Sequence, residues 1–422
     1  GGVNLMNKAI IGLQWGDEGK GKIVDYLSEN YDLVVRYQGG NNAGHTVIVD
    51  DLTYKLNLIP SGAIRGKVCF LGQGVVLDPD HFVTELKSFK EKIPNPTIYL
   101  SSNISLILDY HKKLDKINES ILEGNSKIGT TAKGIGPAYQ DKVGRKSIKL
   151  SDLSSTDILD SKLNNIKSFY DPILVKYNEQ PIDLDEYKKF LSEKYKDLQD
   201  LIIDNNFINN TYENKKILFE GAQGAMLDLD YGSYPFVTSS NTISSYIPIG
   251  SAINKSYETL GIFKAYATRV GNGPFPSELS NEIGDYMAEK GFEYGTVTKR
   301  KRRCGWLDLV ALKYSCVANN TKELCITKVD VLNDLEEIRI CKSYNGKLYD
   351  QINFASSNIL ENIDLDDSDF KKFKKWGDLT PMKDYKSAPD ALRNFIDYIE
   401  NYLDIPITII SFGPDRNETI LK

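Results

Sequence analysis

A glycine-rich bend near the start of the chain is the feature that most constrains the fold. An apolar run at 9–13 leads directly into Q-W-G-D-E-G-K-G-K at 14–22, and a helix-like segment follows from Ile23. A buried strand, a bend of glycines and lysines and then a helix is the order found where backbone N–H groups at a helix start bind phosphate. The bend therefore predicts a nucleotide phosphate site. An exposed turn with solvated charges is the alternative.

The bend departs from the common phosphate-binding loop at one position. Gly21-Lys22 matches the glycine and lysine of that loop, but Ile23 stands where a Ser or Thr hydroxyl would hold Mg²⁺. Two acids, Asp17 and Glu18, lie inside the bend instead. A carboxylate beside polyphosphate is repelled unless it binds a metal or a cation. We therefore interpret Asp17 as a metal ligand, a general base, or both.

Composition limits the class of protein. The net charge of -6 argues against a general nucleic-acid binder, so anion binding is expected to be local. Apolar runs are shorter than the roughly 18 residues of a membrane span, and the start lacks a signal-peptide layout. Five cysteines without a C-x-x-C pair fit a reducing compartment and buried thiols. We expect a cytoplasmic protein with no membrane or nucleic-acid partner, in which residues 1–5, before Met6, are a cloning remnant.

Strand-like runs that end in polar loops recur along the chain. Runs at 32–37, 217–219 and 405–410 each lead into a loop of glycines, amides or hydroxyls. Helix-like segments, such as 82–92 and 185–203, alternate with them. Ligands gather where parallel strands end, so several strands are expected to supply one site. The pattern predicts an α/β fold with a large, mostly parallel central sheet flanked by helices.

His45 is the histidine with the clearest chemical context. It lies among glycines and amides, whereas His81 and His111, the other two histidines, lie in polar helix-like stretches and are expected to have no special role. Near neutral pH an imidazole in a ligand loop can donate a proton or stabilise charge. A structural or solvent-facing histidine is the alternative for His45.

Thr327-Lys328-x-Asp330 follows a short apolar run and resembles the guanine-reading loop of GTP-binding proteins. A carboxylate can accept hydrogen bonds from N1–H and the exocyclic amine of guanine together. Adenine lacks that pair of donors and would leave a buried carboxylate unpaired, at a cost of about 1 to 3 kcal/mol. With the N-terminal bend, this loop favours GTP over ATP.

Two further stretches could contact anions. The basic run at 298–303 is the densest charge in the chain and is followed by a helix-like pattern. Arginine there could bind carboxylate or phosphate with its two-pronged donor, and a solvated or nuclear-localisation-like tract is the alternative. The second glycine-rich loop, at 129–139, could contact phosphate or be an exposed loop of turn residues.

Taken together, these motifs resemble the adenylosuccinate synthetase family over nearly the whole chain, in order and spacing. The resemblance rests on the segments 14–22, 39–46, 134–139, 220–224, 237–242, 298–306, 327–330 and 411–416. It implies a P-loop-like, GTP-dependent ligase that joins IMP and L-aspartate through a 6-phosphoryl-IMP intermediate, releasing GDP and phosphate. Because the motifs serve one proposed site, we expect a single α/β domain spanning 1–422.

The resemblance also implies residue roles. Asp17 would remove the N1 proton of IMP and bind Mg²⁺ together with the Gly44 carbonyl. His45 would assist transfer of the γ-phosphoryl group to the 6-oxygen, and Lys20 and Gln223 would complete the catalytic set. The expected GTP contacts are Gly16, Asp17, Glu18, Gly19, Lys20, Gly21, Lys22, Gly44, His45, Thr46, Arg302, Lys328, Val329, Asp330, Ser411, Phe412 and Gly413.

The contacts implied for IMP and aspartate come from several loops. They are Asp17, Asn42, Ala43, Thr131, Arg145, Gln223, Thr238, Thr296, Val297, Thr298, Lys299, Arg300, Lys301 and Arg302. By the same resemblance, Arg145 would reach the neighbouring site of a homodimer.

Some positions depart from the family pattern. Asn41 and Asn57 stand where the family often has histidine, Lys133 where it often has arginine, and Lys299 where glycine is common. The stretch 244–250 also differs from the usual small residues. None removes a proposed catalytic group, but Lys299 leaves the detail of aspartate binding open.

Two other classes of protein share some of these sequence features. A regulatory GTPase predicts Ser or Thr at Ile23 and a D-x-x-G turn leaving a strand, but the D-x-x-G at 141–144 follows Pro137 and Tyr139 rather than an apolar run. An inactive nucleotide-binding protein is disfavoured because Asp17 and His45 are retained.

Overall fold

The computed structural model describes residues 6–129, 132–295 and 300–422. Its strands are β1 (Asn7–Gly12), β2 (Leu33–Arg36), β3 (His45–Val49), β4 (Leu52–Leu56), β5 (Val68–Leu71), β6 (Val76–Leu77), β7 (Ile98–Ser101), β8 (Ser105–Leu106), β9 (Ile202–Ile203), β10 (Ile217–Glu220), β11 (Tyr257–Lys264), β12 (Tyr266–Arg269), β13 (Arg303–Asp308), β14 (Glu323–Thr327), β15 (Glu337–Cys341), β16 (Phe370–Lys374), β17 (Ile407–Ser411) and β18 (Thr419–Leu421).

The α-helices are α1 (Lys20–Ser28), α2 (Pro79–Lys92), α3 (Asp109–Ser120), α4 (Ile135–Val143), α5 (Thr156–Lys176), α6 (Leu184–Leu198), α7 (Asn205–Thr211), α8 (Ile247–Ser251), α9 (Glu282–Lys290), α10 (Leu309–Ala318), α11 (Ser357–Glu361) and α12 (Asp390–Leu403). Within the described ranges, none is both long and apolar enough to span a membrane.

A large central sheet organises the described residues. Its ten strands lie in the order β18-β17-β14-β11-β1-β10-β2-β5-β7-β9, and neighbours pair in parallel except β17 and β18. Alternate residues of β1 enter different hydrophobic clusters, Ile10 in one and Ala9 and Ile11 in another. Both faces of β1 are therefore covered, as a parallel sheet requires. The predicted α/β fold with a mostly parallel sheet is confirmed.

Local chemistry explains where α2 begins. The Asp78 carboxylate accepts hydrogen bonds from the N–H groups of Asp80 and His81, each at 3.1 Å, and Pro79 occupies the first turn. The helix buries Phe82 and further apolar side chains on one face. It covers the expected segment 82–92 and starts three residues earlier.

The predicted helix at 185–203 is wrong in its last part. The regular helix α6 ends at Leu198, and Ile202–Ile203 forms β9, which pairs with β7 at the sheet edge. Ile202 and Ile203 are β-branched and pack against the clusters around the sheet. The sheet edge therefore decides their conformation, because β-branched residues fit a pleated surface.

A smaller four-stranded sheet, in the order β12-β13-β15-β16, lies beside the site. β13 carries the end of the basic run, and α10 begins only after Asp308, whose carboxylate accepts from the Ala311 N–H at 3.0 Å. A strand therefore separates the basic residues from the expected helix. All five cysteines are buried and unpaired, as predicted.

Candidate active site

The strands β1, β2, β10, β14 and β17 run in parallel, so their carboxyl ends lie at one edge of the sheet. The loops that follow them contain the motifs at 14–19, 38–44, 221–224, 328–330 and 412–416. This edge is where an open α/β sheet binds its ligands.

The glycine-rich bend is held from inside by Glu18. Its carboxylate is fully buried and accepts from the N–H groups of Gln14 at 3.0 Å and Gly16 at 2.9 Å, and from Lys20 Nζ at 2.7 Å. Gly16 and Gly19 both have φ near 87°, a left-handed conformation suited to glycine. The Glu18 side chain thus shapes the bend, and only its main chain remains for the predicted nucleotide contact.

Asp17 differs from Glu18 although they are neighbours. Its side chain is 27% exposed, and Oδ2 lies 3.1 Å from Nε of Arg302. The backbone of Asp17 is left-handed, with φ of 60°, and its carboxylate is partly exposed whereas that of Glu18 is buried. Two adjacent acids therefore have separate tasks, one structural and one facing the site.

The Lys22 side chain contacts the loop that follows β17. Its ammonium donates to Ser411 Oγ at 2.7 Å and to the carbonyl oxygens of Gly413 and Glu418 at 2.6 and 3.0 Å. Each donor of the ammonium therefore has an acceptor within the protein, and the GTP contact expected at Lys22 stays a prediction.

A buried carboxylate, Glu293, joins three cations beside Asp17. It accepts from Lys264 Nζ at 2.7 Å, Arg302 Nη1 at 3.0 Å and Lys328 Nζ at 3.1 Å. Burial alone would raise the pKa of Glu293, but these cations outweigh it and lower the pKa to about 2. Burial also lowers the pKa of Lys264, a change that Glu293 opposes. The cluster links Asp17 to Lys328 through Arg302 and Glu293.

Sequence reasoning missed Glu293 and Lys264. Both are isolated charges in ordinary surroundings, and only the fold brings them within 2.7 Å of each other. The available signal was indirect, since Arg302 and Lys328 would need a buried counter-charge if they converged.

The T-K-x-D loop touches the glycine-rich bend directly. Thr327 Oγ1 donates to the Glu18 carbonyl oxygen at 2.7 Å. Asp330 Oδ1 is buried and has no hydrogen-bond partner within the described ranges, and burial raises the pKa of Asp330. An unpaired buried acceptor fits a ligand N–H group. The Val329 side chain is buried in an apolar cluster, so any nucleotide contact there involves its main chain.

His45 stands against the first turn of α1. A Cβ on Gly21 would lie 3.0 Å from His45 Cδ2, tighter than most side-chain contacts, so any larger residue at this position would push the imidazole away from the helix. Nε2 lies 3.7 Å from Glu220 Oε1 and has no hydrogen-bond partner in the part of the chain that is described. Burial lowers the pKa of His45 below 6.5, although Glu220 opposes the shift. The imidazole is therefore neutral at neutral pH and can present one N–H to a ligand.

Three amides form a chain across two strand ends. Gln223 donates to Asn42 Oδ1 at 3.0 Å and accepts from Gln38 Nε2 at 3.1 Å. Gln38 is fully buried and was not assigned from the sequence. The predicted substrate contacts Asn42 and Gln223 are thus brought together.

Other predicted residues lie apart from this cluster or outside the described ranges. Arg145 is exposed just after α4, and Lys301 is exposed and paired with Asp285. Arg300 is exposed, and Thr238 is half-buried. The predicted residues Thr131, Thr296, Val297, Thr298 and Lys299 lie outside the described residues.

The departures Asn41, Asn57 and Lys133 meet at one carbonyl. Asn57 Nδ2 and Lys133 Nζ lie 3.3 and 3.1 Å from the Asn41 carbonyl oxygen, to which both donate. Ala43 and Gly44 follow in the same loop, and Thr46 is exposed on β3.

A strand, a glycine-rich bend and a helix lie beside the Asp330 carboxylate, whose buried Oδ1 has no partner among the described residues, and both lie at the strand ends. This is the arrangement of a nucleotide-binding α/β protein. The sequence model of the adenylosuccinate synthetase family matches residues 9–420. The chain belongs to the adenylosuccinate synthetase family. It is therefore a GTP-dependent ligase that joins IMP and L-aspartate in AMP biosynthesis.

Similar proteins support the same family. The chain is 44% identical over 430 residues to the adenylosuccinate synthetase of Wolbachia sp. subsp. Brugia malayi (strain TRS), covering 99% of this chain and 97% of that protein. It is 44% identical over 424 residues to that of Borrelia duttonii (strain Ly), covering 98% and 97%. The solved structure of fully ligated adenylosuccinate synthetase from Plasmodium falciparum has a TM-score of 0.91 and 38% identity, covering 99% and 100%.

Proposed function

We propose that Asp17 is the base that removes the N1 proton of IMP, and that GTP binds with its phosphates along the glycine-rich bend. The observation that carries the proposal is the position of the Asp17 carboxylate. It is partly exposed at the mouth of the bend and is held at 3.1 Å by Arg302. A general base must be both accessible and fixed within hydrogen-bond reach of its proton.

The order of chemical steps follows from the substrate. The 6-oxygen of IMP is a poor leaving group, so direct attack by the aspartate amine at C6 is slow. Removal of the N1 proton by Asp17 makes the 6-oxygen nucleophilic, and this oxygen takes the γ-phosphoryl group of GTP, with GDP as the leaving group. The amine then attacks C6 and expels phosphate. Phosphorylation thus divides one difficult displacement into two easier ones.

Lys20 and His45 stabilise the phosphoryl group during transfer. Lys20 Nζ lies 2.7 Å from Glu18 at the start of α1, where the helix dipole adds positive potential. His45, held against Gly21 in the first turn of the same helix, donates its N–H to an oxygen of the transferring group. Preorganised donors of this kind reduce the cost of the charge that develops.

Guanine is held at the other end of the site. Asp330 accepts from N1–H and the exocyclic amine, because its buried Oδ1 is otherwise without a donor among the described residues. Lys328 and the loop 411–413 enclose the ring. IMP is bound by Asn42, Thr131, Gln223, Thr238 and Arg300. Aspartate is bound by the loop 296–302, in which Arg302 also contacts GTP.

Mg²⁺ would be held by one donor from the glycine-rich bend and one from the loop after β2. Within the described ranges no group of three His, Cys, Asp or Glu residues could hold a metal. One carboxylate, from Asp17, and one carbonyl, from Gly44, suit an ion that takes most of its remaining ligands from substrate oxygens and water. When bound, Mg²⁺ would offset negative charge on the phosphates.

The chain would act as a homodimer in the cytoplasm, with Arg145 contacting IMP in the neighbouring subunit. The support for this arrangement is that Arg145 is exposed at the end of α4, next to Val143, an apolar side chain with 83% exposure. An exposed apolar side chain beside a cation suits an interface.

The base assignment is tested with Asp17→Asn. Because amide nitrogen cannot accept the N1 proton, we expect kcat to fall by about 100-fold to 10,000-fold. Adenylosuccinate formation is measured alongside GTP binding, which should persist. Asp109→Asn, on an exposed aspartate at the start of α3, is the matched control. Full-rate product formation by Asp17→Asn would overturn the assignment.

The reaction class is tested by release of phosphate from GTP. IMP and aspartate are added singly and together, and we expect release only with both. Release from GTP alone would instead favour a GTPase that switches between partners.

A further inference from the structure

We propose that Lys22 is a positioning residue for guanine recognition rather than a phosphate ligand. Its ammonium clamps the loop 411–418 onto α1, so the first turn of the phosphate-binding helix also fixes the loop that faces the base. The inference rests on the proposed guanine site at Asp330 and 411–413.

The donor count supports the clamp. A lysine ammonium has three N–H donors, and Lys22 has three acceptors within 3.0 Å: Ser411 Oγ and the carbonyl oxygens of Gly413 and Glu418. The residue is 8% exposed. Burial lowers the pKa of Lys22 to about 8, with nearby Cys325 and acidic groups opposing the shift. The ammonium is therefore charged at neutral pH, with each donor engaged within the protein.

A second contact ties the same loop to the same helix. Arg416 Nε and Nη2 donate to the two oxygens of Asp25, each at 2.7 Å, and Asp25 is fully buried on α1. A two-pronged pair of this kind fixes orientation as well as distance. Lys22 and Asp25 are both on α1, so the helix holds the loop at two points.

The loop is also stiff between these two contacts. Phe412 N–H donates to the Glu418 carbonyl oxygen at 3.0 Å, and Asp415 N–H donates to the Glu418 carboxylate at 3.1 Å. A Cβ on Gly413 would lie 2.0 Å from Glu418 Oε2, so a larger residue there would displace the Glu418 carboxylate that holds the turn. The Lys22 acceptors therefore belong to one compact turn, and moving the ammonium would displace Ser411 and Gly413 together.

The two possible roles of Lys22, phosphate ligand and positioning residue, predict different effects on the use of GTP and ITP. GTP and ITP carry the same triphosphate and differ only in the exocyclic amine of the base. Loss of a phosphate contact would weaken both equally. Loss of the clamp would selectively weaken recognition of the amine, because the base pocket would no longer be held in place.

The experiment compares kcat/KM for GTP and ITP in wild type and Lys22→Met, with IMP and aspartate saturating. We expect the GTP-to-ITP ratio to fall by about tenfold in Lys22→Met, since misplaced buried donors and acceptors lose discrimination. The change should appear mainly in KM for GTP. An unchanged ratio, with equal losses for both nucleotides, would overturn the clamp and restore Lys22 as a phosphate ligand.

Arg416→Met provides a second route if Lys22→Met folds poorly. It removes the other contact between the loop and α1, so the same fall in the ratio is expected. The matched control is Lys255→Met, because Lys255 also donates to two loop carbonyls, those of Tyr212 and Glu213, near the opposite ends of the strands. Its ratio should equal that of wild type, and a fall in it would mean that general loosening explains the effect.

Asp330→Asn tests the proposed guanine site independently of the Lys22 clamp. If the GTP-to-ITP ratio of kcat/KM is unchanged in this variant, the guanine assignment itself fails. If its ratio falls while those of Lys22→Met and Arg416→Met do not, the guanine assignment stands and the clamp is wrong.

Discussion

Glu293 and Asp141 are both buried carboxylates with several donors, but the charge of those donors differs. Glu293 is bound by the cations Lys264, Arg302 and Lys328. Asp141 accepts from neutral groups, the hydroxyls of Tyr110 and Tyr170 and the imidazole of His111. The first cluster touches the site, whereas the second joins α3, α4 and α5 in the interior.

The difference shows what each kind of cluster can do. Arg302 and Lys328 keep 11% and 31% of their side chains exposed, so the cations that Glu293 holds remain accessible from solvent. The partners of Asp141 are buried, so that cluster can only fix helices. His111, expected to have no special role, is 1% exposed. Its Nδ1 accepts from the Leu108 N–H at 2.9 Å, which leaves Nε2 to donate to Asp141.

Among changes to these two clusters, the largest expected effect comes from Glu293→Gln, which removes the shared anion but keeps the side-chain size. Three cations would then repel each other, and Arg302 would move relative to Asp17. We expect kcat/KM for GTP to fall by about 100-fold, the cost of misplacing a site by roughly 1 Å. Steady-state kinetics with GTP as the varied substrate measures this fall in kcat/KM. Glu323→Gln, on a carboxylate paired with Lys8 at the other end of β14, is the control. A wild-type kcat/KM for GTP in Glu293→Gln would contradict the role of Glu293.

Asp141→Asn should affect stability rather than chemistry. The amide nitrogen would face donors in place of an acceptor, so the free energy of unfolding should fall by about 2 kcal/mol. Urea unfolding measures this, and kcat at 25 °C should stay close to that of wild type. Loss of kcat without loss of stability would break the contrast between the two clusters.

The smallest expected effect is the contribution of His111 to the pH dependence of the free energy of unfolding. Burial lowers the pKa of His111 below 6.5, although Asp141 opposes the shift. Between the folded pKa and 6.5 the unfolded chain binds a proton that the folded chain does not, so stability falls as pH falls. The slope is at most about 1.4 kcal/mol per pH unit for one proton.

His111→Gln removes the imidazole that binds this proton in the unfolded chain. The stability of this variant should therefore depend less on pH below 6.5 than the stability of wild type. Unfolding by urea at several pH values between 5 and 7 measures the difference. His45 also has a lowered pKa but is present in both proteins, so its contribution cancels. If the free energies of unfolding of the two proteins changed equally with pH, His111 would not contribute to the pH dependence of stability.

Much of the fold was predictable because its signals are local. The apolar runs at 9–13, 32–37 and 217–219 became β1, β2 and β10, since buried parallel strands need continuous apolar residues. Glycine in the bend was equally informative because Gly16 and Gly19 adopt positive φ. Segment 185–203 was predicted less well, because pairing with β7 ended its helical character.

By itself, the sequence determined the strand–bend–helix order, the parallel sheet and the family, since each depends on neighbouring residues or on motifs in order. Only the tertiary structure decided which charges meet. Lys22 and Ser411 form a hydrogen bond although 389 positions separate them in the sequence. Glu293 and Lys264 also form one, across 29 positions. The reason is physical: the environment of a buried charge is set by the packing of distant segments, and one side chain has different partners in different surroundings.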